Sequence, residues 1–254
     1  MGWNVPPQEH KVFERNPLVA VVVELRFHPV LKIPDRIADF QEAVRGTFPA
    51  FQEVQRQLVN LGPVGPIELR NERLFNMAKA DDSATLTLST SSLALESRRH
   101  EHRENFIADA KAGIDALLGI FGSVVPTRLG LRYVDVIDRA RIEADLGKPA
   151  TWESLVSSKF LAVPTGFADL EGTLFACEVA SSMPSGGRQT IRYGLVEDVD
   201  KQPKFRLDVD RYVEGAIDPG ELVPSLKSFA TDIFSVFAAA MGPALSEWMA
   251  ERRS

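Results

Sequence analysis

The sequence predicts an α+β protein built from two pseudo-repeated β-α-β-β-β-α halves, with a mainly antiparallel sheet and helices packed on one face of it. Three observations predict this. A strand candidate near the N-terminus, Val21-Val-Val-Glu-Leu-Arg-Phe27, is echoed close to the midpoint by Arg128-Leu-Gly-Leu-Arg-Tyr-Val-Asp-Val-Ile-Asp138; the two share Leu-Arg-aromatic, as Leu25-Arg26-Phe27 and Leu131-Arg132-Tyr133. Each is followed by a helical stretch, three strands and a long amphipathic helix. Each half then has a sheet and a helical stripe to bury, and stacking the two layers buries both. The halves run over 17–122 and 123–254 behind an N-terminal arm of residues 1–16, as two units or one continuous domain.

The arm mixes proline, charge and polar groups, a composition that packs late or not at all. Asn16-Pro17 introduces the first strand, 18–27, where Val21, Val23, Leu25 and Phe27 share the buried face. Pro34 suits a first helical turn; Ile33, Ile37, Phe40, Val44 and Phe48 follow at helical spacing, and Pro49 closes the helix. Phe51–Leu61 reads as a second amphipathic helical stretch, and Leu61-Gly-Pro-Val-Gly-Pro66 as a loop. Three strands follow at 73–80, 83–90 and 93–98. In the middle one Ala84, Leu86 and Leu88 alternate with Thr85, Thr87 and Ser89, the pattern of a sheet wet on one side. Phe106, Ile107, Ala110, Ile114, Leu117, Leu118 and Phe121 form one helical stripe, stopped by Gly122.

The second half opens on the strand 127–137. A short helix near 151–160 is capped by Thr151, and strands lie near 172–182, 189–197 and 204–213. Asp218-Pro219-Gly220-Glu221 supplies a cap, a proline at the first helical position and an acid two residues on. From there Leu222, Leu226, Phe229, Ile233, Phe237, Met241 and Leu245 carry one long final helix. The two opening strands have the most apolar faces and belong at the centre of the sheet or at its junction.

Composition narrows the function classes. A chain of 254 residues buries a full core without disulfide or metal staples. The single cysteine, Cys177, excludes an internal disulfide framework and fits a reducing cytoplasm. The start, Met1-Gly-Trp-Asn-Val-Pro-Pro, lacks the basic and long apolar regions of a secretory signal, and the apolar run at 18–23 is too short to span a bilayer, so no membrane role is expected. A net charge of −6 disfavours general nucleic-acid affinity.

No motif points to catalysis. There is no Gly-x-Ser-x-Gly elbow, phosphate loop or dinucleotide fingerprint, so no catalytic residue and no cofactor is assigned. Cys177 sits within a strand without a nearby histidine and reads as a small buried hydrophobe. His100 and His102 form the one histidine cluster; with no further ligand pair nearby, the expected answer is no metal site. Arg98, Arg99 and Arg103 around them are the densest positive charge, at a helix start where phosphate could bind, but acids alternate with them as on a salt-bridged surface. Asp208 and Asp210 point the same way as Arg206, away from Phe205, Leu207 and Val209; cross-strand ion pairing on a wet face explains them more simply than a metal or an acid/base pair, and Asp135 and Asp138 read likewise. Arg132 shares its face with Gly130, Val134 and Val136. An arginine among such neighbours needs a partner, with Glu24, Asp135 and Asp208 as candidates. Arg26 and Arg132, with Arg98, Arg99 and Arg103, are the candidate ligand-binding residues.

Four of these stretches together resemble the TIGR04255 family, sporadically distributed in bacteria and without an established activity. They are Asn16–Phe27, Arg128–Asp138, the Leu-Asp-x-Asp strand at Leu207–Asp210, and the closing helix with its phenylalanines at Phe229–Phe237. Where family members often carry asparagine after the motif tyrosine, this chain has Val134-Asp135. The resemblance brings no catalytic residues, and its patchy distribution implies a bacterial defence or stress setting. The expected function is a non-enzymatic interaction protein that binds a protein partner or itself. The alternative is a small-ligand or nucleotide sensor with a pocket between the halves.

Overall fold

A computed structural model describes residues 5–9, 11–60, 68–99, 102–161, 174–197, 199 and 201–250. In chain order the elements are β1 (Leu18–Phe27), α1 (Ile37–Val44), β2 (Ala50–Asn60), β3 (Glu68–Ala78), β4 (Ala84–Leu88), β5 (Ser92–Ser97), α2 (Arg103–Phe121), β6 (Pro126–Ile137), α3 (Arg139–Leu146), α4 (Trp152–Leu155), α5 (Ser158–Leu161), β7 (Phe175–Ser182), β8 (Arg188–Glu197), β9 (Pro203–Glu214), α6 (Leu222–Ala240) and α7 (Pro243–Met249). Short 3-10 turns at Pro34–Arg36 and Pro219–Glu221 lead into α1 and α6. The fold is α+β, with one antiparallel sheet in the order β2-β3-β4-β5-β1-β6-β9-β8-β7. The last strand of each half returns to lie beside its first, β5 next to β1 and β9 next to β6. Read outward from the centre, β1-β5-β4-β3 matches β6-β9-β8-β7, and β2 is an extra strand at one edge.

That extra strand corrects the helix expected at 51–61. Phe51, Val54 and Leu58 have helical spacing, yet Ala50–Asn60 pairs along its whole length with β3, from Ala50↔Ala78 to Asn60↔Glu68. The alternation that marks a half-buried strand is absent because β2 is an edge: residues 51–53, 55 and 56 are exposed whichever face they occupy. The proposed loop at 61–66 lies outside the described residues.

The chain divides into two compact units, 22–130 with 214–224, and 1–21 with 131–213 and 225–254, so that β1 and β6 each run through both. In the first, Leu86, Leu88, Leu93 and Leu95 face the α2 stripe Phe106, Ile107, Ala110, Ile114 and Leu117, all buried. Gly113 lets α2 close on the sheet, since a Cβ there would stand 2.9 Å from Leu86 Cδ1. Gly122 ends the helix with positive φ, its N–H returning to the Leu118 carbonyl.

In the second unit Phe205, Leu207 and Val209 on β9 and Ile191 and Leu195 on β8 form the buried face, covered by Leu226, Phe229, Ile233 and Val236 of α6. Asp138 and Thr151 cap α3 and α4 with their side chains. The final helix is two helices. It breaks at Gly242-Pro243, where the Gly242 N–H donates to the Leu155 carbonyl and a Cβ would stand 2.5 Å from the Ser154 carbonyl oxygen. Pro219–Ala240 has the length and mean hydropathy (1.2) of a membrane span, and its buried residues recur at helical spacing against the sheet. Described residues of the N-terminal arm are docked: the Gln8 N–H donates to Ser235 Oγ at 2.9 Å, and the Glu14 and Arg15 N–H groups donate to the Met249 carbonyl.

Candidate functional site

The outer face of β6, β9, β8 and β7 carries the most suggestive constellation. Because Phe205, Leu207 and Val209 turn inward, period-two alternation turns Arg206 and Asp208 outward. The strand register then sets Asp208 opposite Arg192, which is opposite Glu178, and sets Arg206 opposite Gly194, which is opposite Ala176. Arg132 joins from β6. An open pocket of about 570 Å³ is lined by Arg132, Arg192, Arg206 and Asp208, with Gly194 and Tyr193 beside them.

Asp208 organises this face. Arg132 Nε and Nη2 donate to its two oxygens at 2.7 and 2.6 Å, and Arg206 Nη2 donates to Oδ2 at 3.0 Å, leaving Asp208 only 1% exposed. The bidentate bond is the dominant cause that raises the Arg132 pKa. Arg192 is held by Glu178, Nε to Oε2 at 2.6 Å. The three arginine side chains stay 41, 44 and 46% exposed for Arg132, Arg192 and Arg206, so Asp208 and Glu178 fix them without covering them. A guanidinium has five N–H donors. Arg132 spends two on Asp208, and Arg206 and Arg192 one each on their acids, so donors remain to face the pocket. Gly194 is required in the floor: a Cβ there would lie 1.9 Å from the Phe175 carbonyl oxygen. On the inward side of β8, burial and the neighbouring Cys177 push the Tyr193 phenol up, and its ring meets Phe160 edge-on at 5.1 Å. Cys177, expected to be buried, is half-buried, and the register sets it opposite Tyr193.

The arginines singled out in the sequence do not converge. Arg132 lines the pocket, paired with Asp208 and not with Glu24 or Asp135. Arg26 is well exposed and paired with Glu24 at 3.0 Å. Glu24 also accepts from Arg128 at 2.9 Å, and Arg128 folds over Gly130, where a Cβ would meet its Nη1 at 2.7 Å; the glycine of the Arg-Leu-Gly motif makes room for that ion pair. Arg98 pairs with Glu96 and Arg103 with Glu104 on the surface, as an alternating charge pattern suggests. Arg99 and His102 line a separate polar pocket of about 260 Å³ with Lys79, Asp81 and Asp109. His100 lies outside the described residues, and among those described no group of three metal-binding side chains gathers.

Two residues escaped the sequence reading, and a third, Asp135, is not the ion-pair partner it was read as. Arg192 could have been found, since alternation along 188–197 places it with Gly194 on the outer face. Arg211 could not. It lies on the apolar face of β9, 1% exposed, with Nε on Asp232 at 2.9 Å, Nη1 on the Arg188 and Tyr212 carbonyls, Nη2 on Ser185 Oγ and the Gly186 carbonyl, and its plane 4.5 Å over Phe229. Asp135, 5% exposed, has neither an ion pair nor a hydrogen bond among the described residues. Burial, with a smaller contribution from the Asp208 charge, pushes its carboxyl up to about 8. No protein-family model and no curated protein matches the chain.

Proposed function

We propose that the chain is a binding protein for a small organic anion, phosphate- or carboxylate-bearing, held on the outer face of β6-β9-β8-β7. One observation carries this: Arg132 and Arg206 are locked onto a single buried carboxylate while keeping free N–H donors and open faces toward a pocket of ligand size. Pre-set guanidiniums suit planar, bidentate recognition of carboxylate or phosphate, because the side-chain entropy has already been spent in binding Asp208. Ala176 and Val196, on the same outward side of β7 and β8, supply an apolar wall for the remainder of such a molecule. The sensor role considered from the sequence fits this pocket, which is lined by residues of the second half alone.

A thermal-shift panel of nucleotides, sugar phosphates and dicarboxylates tests the reading. A ligand of the folded state stabilises it by about 2.7 kcal/mol at a hundred times Kd. The expected result is a stabilising anion whose Kd rises at least about tenfold in Arg206→Gln, the loss of one charge-assisted bond. No stabilisation by any member of the panel, or equal stabilisation of wild type and Arg206→Gln, defeats the proposal.

A second reading, a protein partner, is favoured by the edge ribbon. β3 pairs with β4 only from Phe75 to Ala78, whereas β2 and β3 pair as far as Asn60↔Glu68. Seven pairs, from Val54↔Leu74 outward, therefore form a two-stranded ribbon with no third strand beside it among the described residues. Such ribbons are marginal in water unless something packs on them. Replacing 58–70 by a two-residue Asn-Gly turn should leave the melting temperature unchanged and abolish co-purification of a partner. If the complex persists, this reading fails.

A further inference from the structure

The outer pocket has a floor as well as arginines, and the floor narrows what its anion can be. Along β8 the outward positions run Arg192, Gly194 and Val196, and the register sets Ala176 of β7 and Arg206 of β9 on either side of Gly194. Gly194 admits no side chain: its Cβ would stand 1.9 Å from the Phe175 carbonyl oxygen and 2.9 Å from the Ala176 Cα, inside the backbone of β7. Ala176 is exposed and adds only a methyl. Two adjacent strands, about 4.8 Å apart, therefore share a stretch of nearly bare backbone. Arg192 and Val196 bound it along β8, four residues and roughly 13 Å apart, and Arg206 bounds it on the β9 side. One end is cationic and the other apolar.

Charge narrows the choice further. The pocket is lined by three guanidiniums and two carboxylates, Asp208 and Glu178, which leaves one positive charge. Asp210 also acts on Arg132, so no second charge is left to hold a dianion. We infer, resting on the reading of these arginines as an anion site, that the ligand is a singly charged anion built on a flat aromatic ring, an aromatic monocarboxylate. Its carboxylate takes open N–H donors of Arg192 and Arg206. The ring lies face-down on the Ala176 methyl and the Gly194 peptide groups, with its far edge at Val196. A saturated chain touches such a floor along one line, whereas a planar ring covers both strands at once. Arg206 beside the ring suits it as well, because guanidiniums pack on aromatic faces.

Ligand-observed NMR titrations of the full chain with 2-naphthoate, its saturated counterpart decahydro-2-naphthoate, and succinate provide the test. Wild type should bind 2-naphthoate at least about fivefold more tightly than either of the others. Ala176→Leu, at an exposed strand position, fills the floor and should abolish that preference. Arg206→Gln should weaken 2-naphthoate and succinate alike, at least about tenfold each. A wild-type affinity for 2-naphthoate no greater than for decahydro-2-naphthoate overturns the inference, as does a preference that survives Ala176→Leu. In both cases succinate binding that weakens in Arg206→Gln leaves the anion site standing. Binding of 2-naphthoate unmoved by Arg206→Gln, while succinate weakens, places the ring elsewhere and overturns the inference alone. Binding of neither anion, or binding of both equally by wild type and Arg206→Gln, defeats the anion site and the ring with it.

Discussion

The two faces of β9 carry the same chemistry to opposite ends. On the inner face, Arg211 and Asp232 form a pair with every guanidinium donor engaged, the arginine sealed under α6 and stacked on Phe229. On the outer face, Arg132 and Arg206 share Asp208, and here it is the acid that is sealed while the arginines remain open. A saturated pair has nothing left to offer a ligand and acts as a clamp, tying the 185–188 turn to β9 and α6. An unsaturated pair has its geometry fixed from below and its donors pointed outward. The distinction between structural and binding arginine is thus one of remaining hydrogen-bond capacity, and neither charge nor strand position reveals it.

The largest effect expected from this contrast is at Arg211. Arg211→Met keeps an unbranched apolar stem over Phe229 but strands Asp232 and the Gly186, Arg188 and Tyr212 carbonyls. Removing one partner of a buried ion pair costs about 3–5 kcal/mol, and urea unfolding should show a midpoint shift of that size. A loss below about 1 kcal/mol, the scale of an exposed pair, would break the comparison by showing the inner pair to be dispensable.

Asp135 sharpens the contrast because it is an acid with no arginine paired to it among the described residues. Its carboxyl is held near 8 in the folded protein against 3.8 for the ordinary group. Below about pH 4 both states hold the proton and nothing is lost. Between about pH 4 and about pH 8 the unfolded chain releases a proton that the folded one keeps, so stability falls with rising pH by at most about 1.4 kcal/mol per unit, and above about pH 8 no further loss accrues. Asp135→Asn, of the same shape and uncharged, removes that slope. The variant should match wild type near pH 4 and exceed it progressively toward pH 8, read from urea midpoints at each pH. Parallel curves for the two proteins would mean that Asp135 is ionised and solvated.

Much of the fold was legible because its signals are local. The alternation at 84–89, the stripe from Phe106 to Phe121, the cap at Asp218 and the paired opening strands each require only neighbouring residues. β2 was read as a helix because an edge strand buries neither face and so shows no period of two. The break at Gly242-Pro243 was overlooked because the apolar stripe continues across it into α7. The site was legible only in part. Arg132 declared its need of a partner by standing among apolar neighbours, but the choice of Asp208 over Glu24 and Asp135 depends on β9 returning beside β6, a pairing across more than seventy residues. Arg211 went unread because its partners come from the 185–188 turn and from α6, distant along the chain.

A moderate effect is expected in the floor of the outer pocket. Gly194→Ala places a methyl 1.9 Å from the Phe175 carbonyl oxygen, so β7 must shift. Overpacking of this kind costs roughly 1–3 kcal/mol, and it should also loosen anion binding by moving Glu178, which holds Arg192. Hydrogen exchange confined to β7 and β8 would locate the change. Uniformly unaltered exchange would show that the floor tolerates a side chain.

The smallest effect on stability is expected at Arg206, and there the contrast is most exposed to failure. Its side chain is about half solvated, and the single bond to Asp208 is backed by the bidentate bond from Arg132. Arg206→Gln should therefore cost no more than about 1 kcal/mol, the scale of an exposed ion pair, while anion affinity falls at least about tenfold. Stability unmoved and binding lost is the signature of an arginine kept for a ligand. If Arg206→Gln instead destabilises the chain as much as Arg211→Met does and leaves anion affinity intact, then Asp208 needs both its arginines to stay buried. The outer face of β9 is in that case a second clamp.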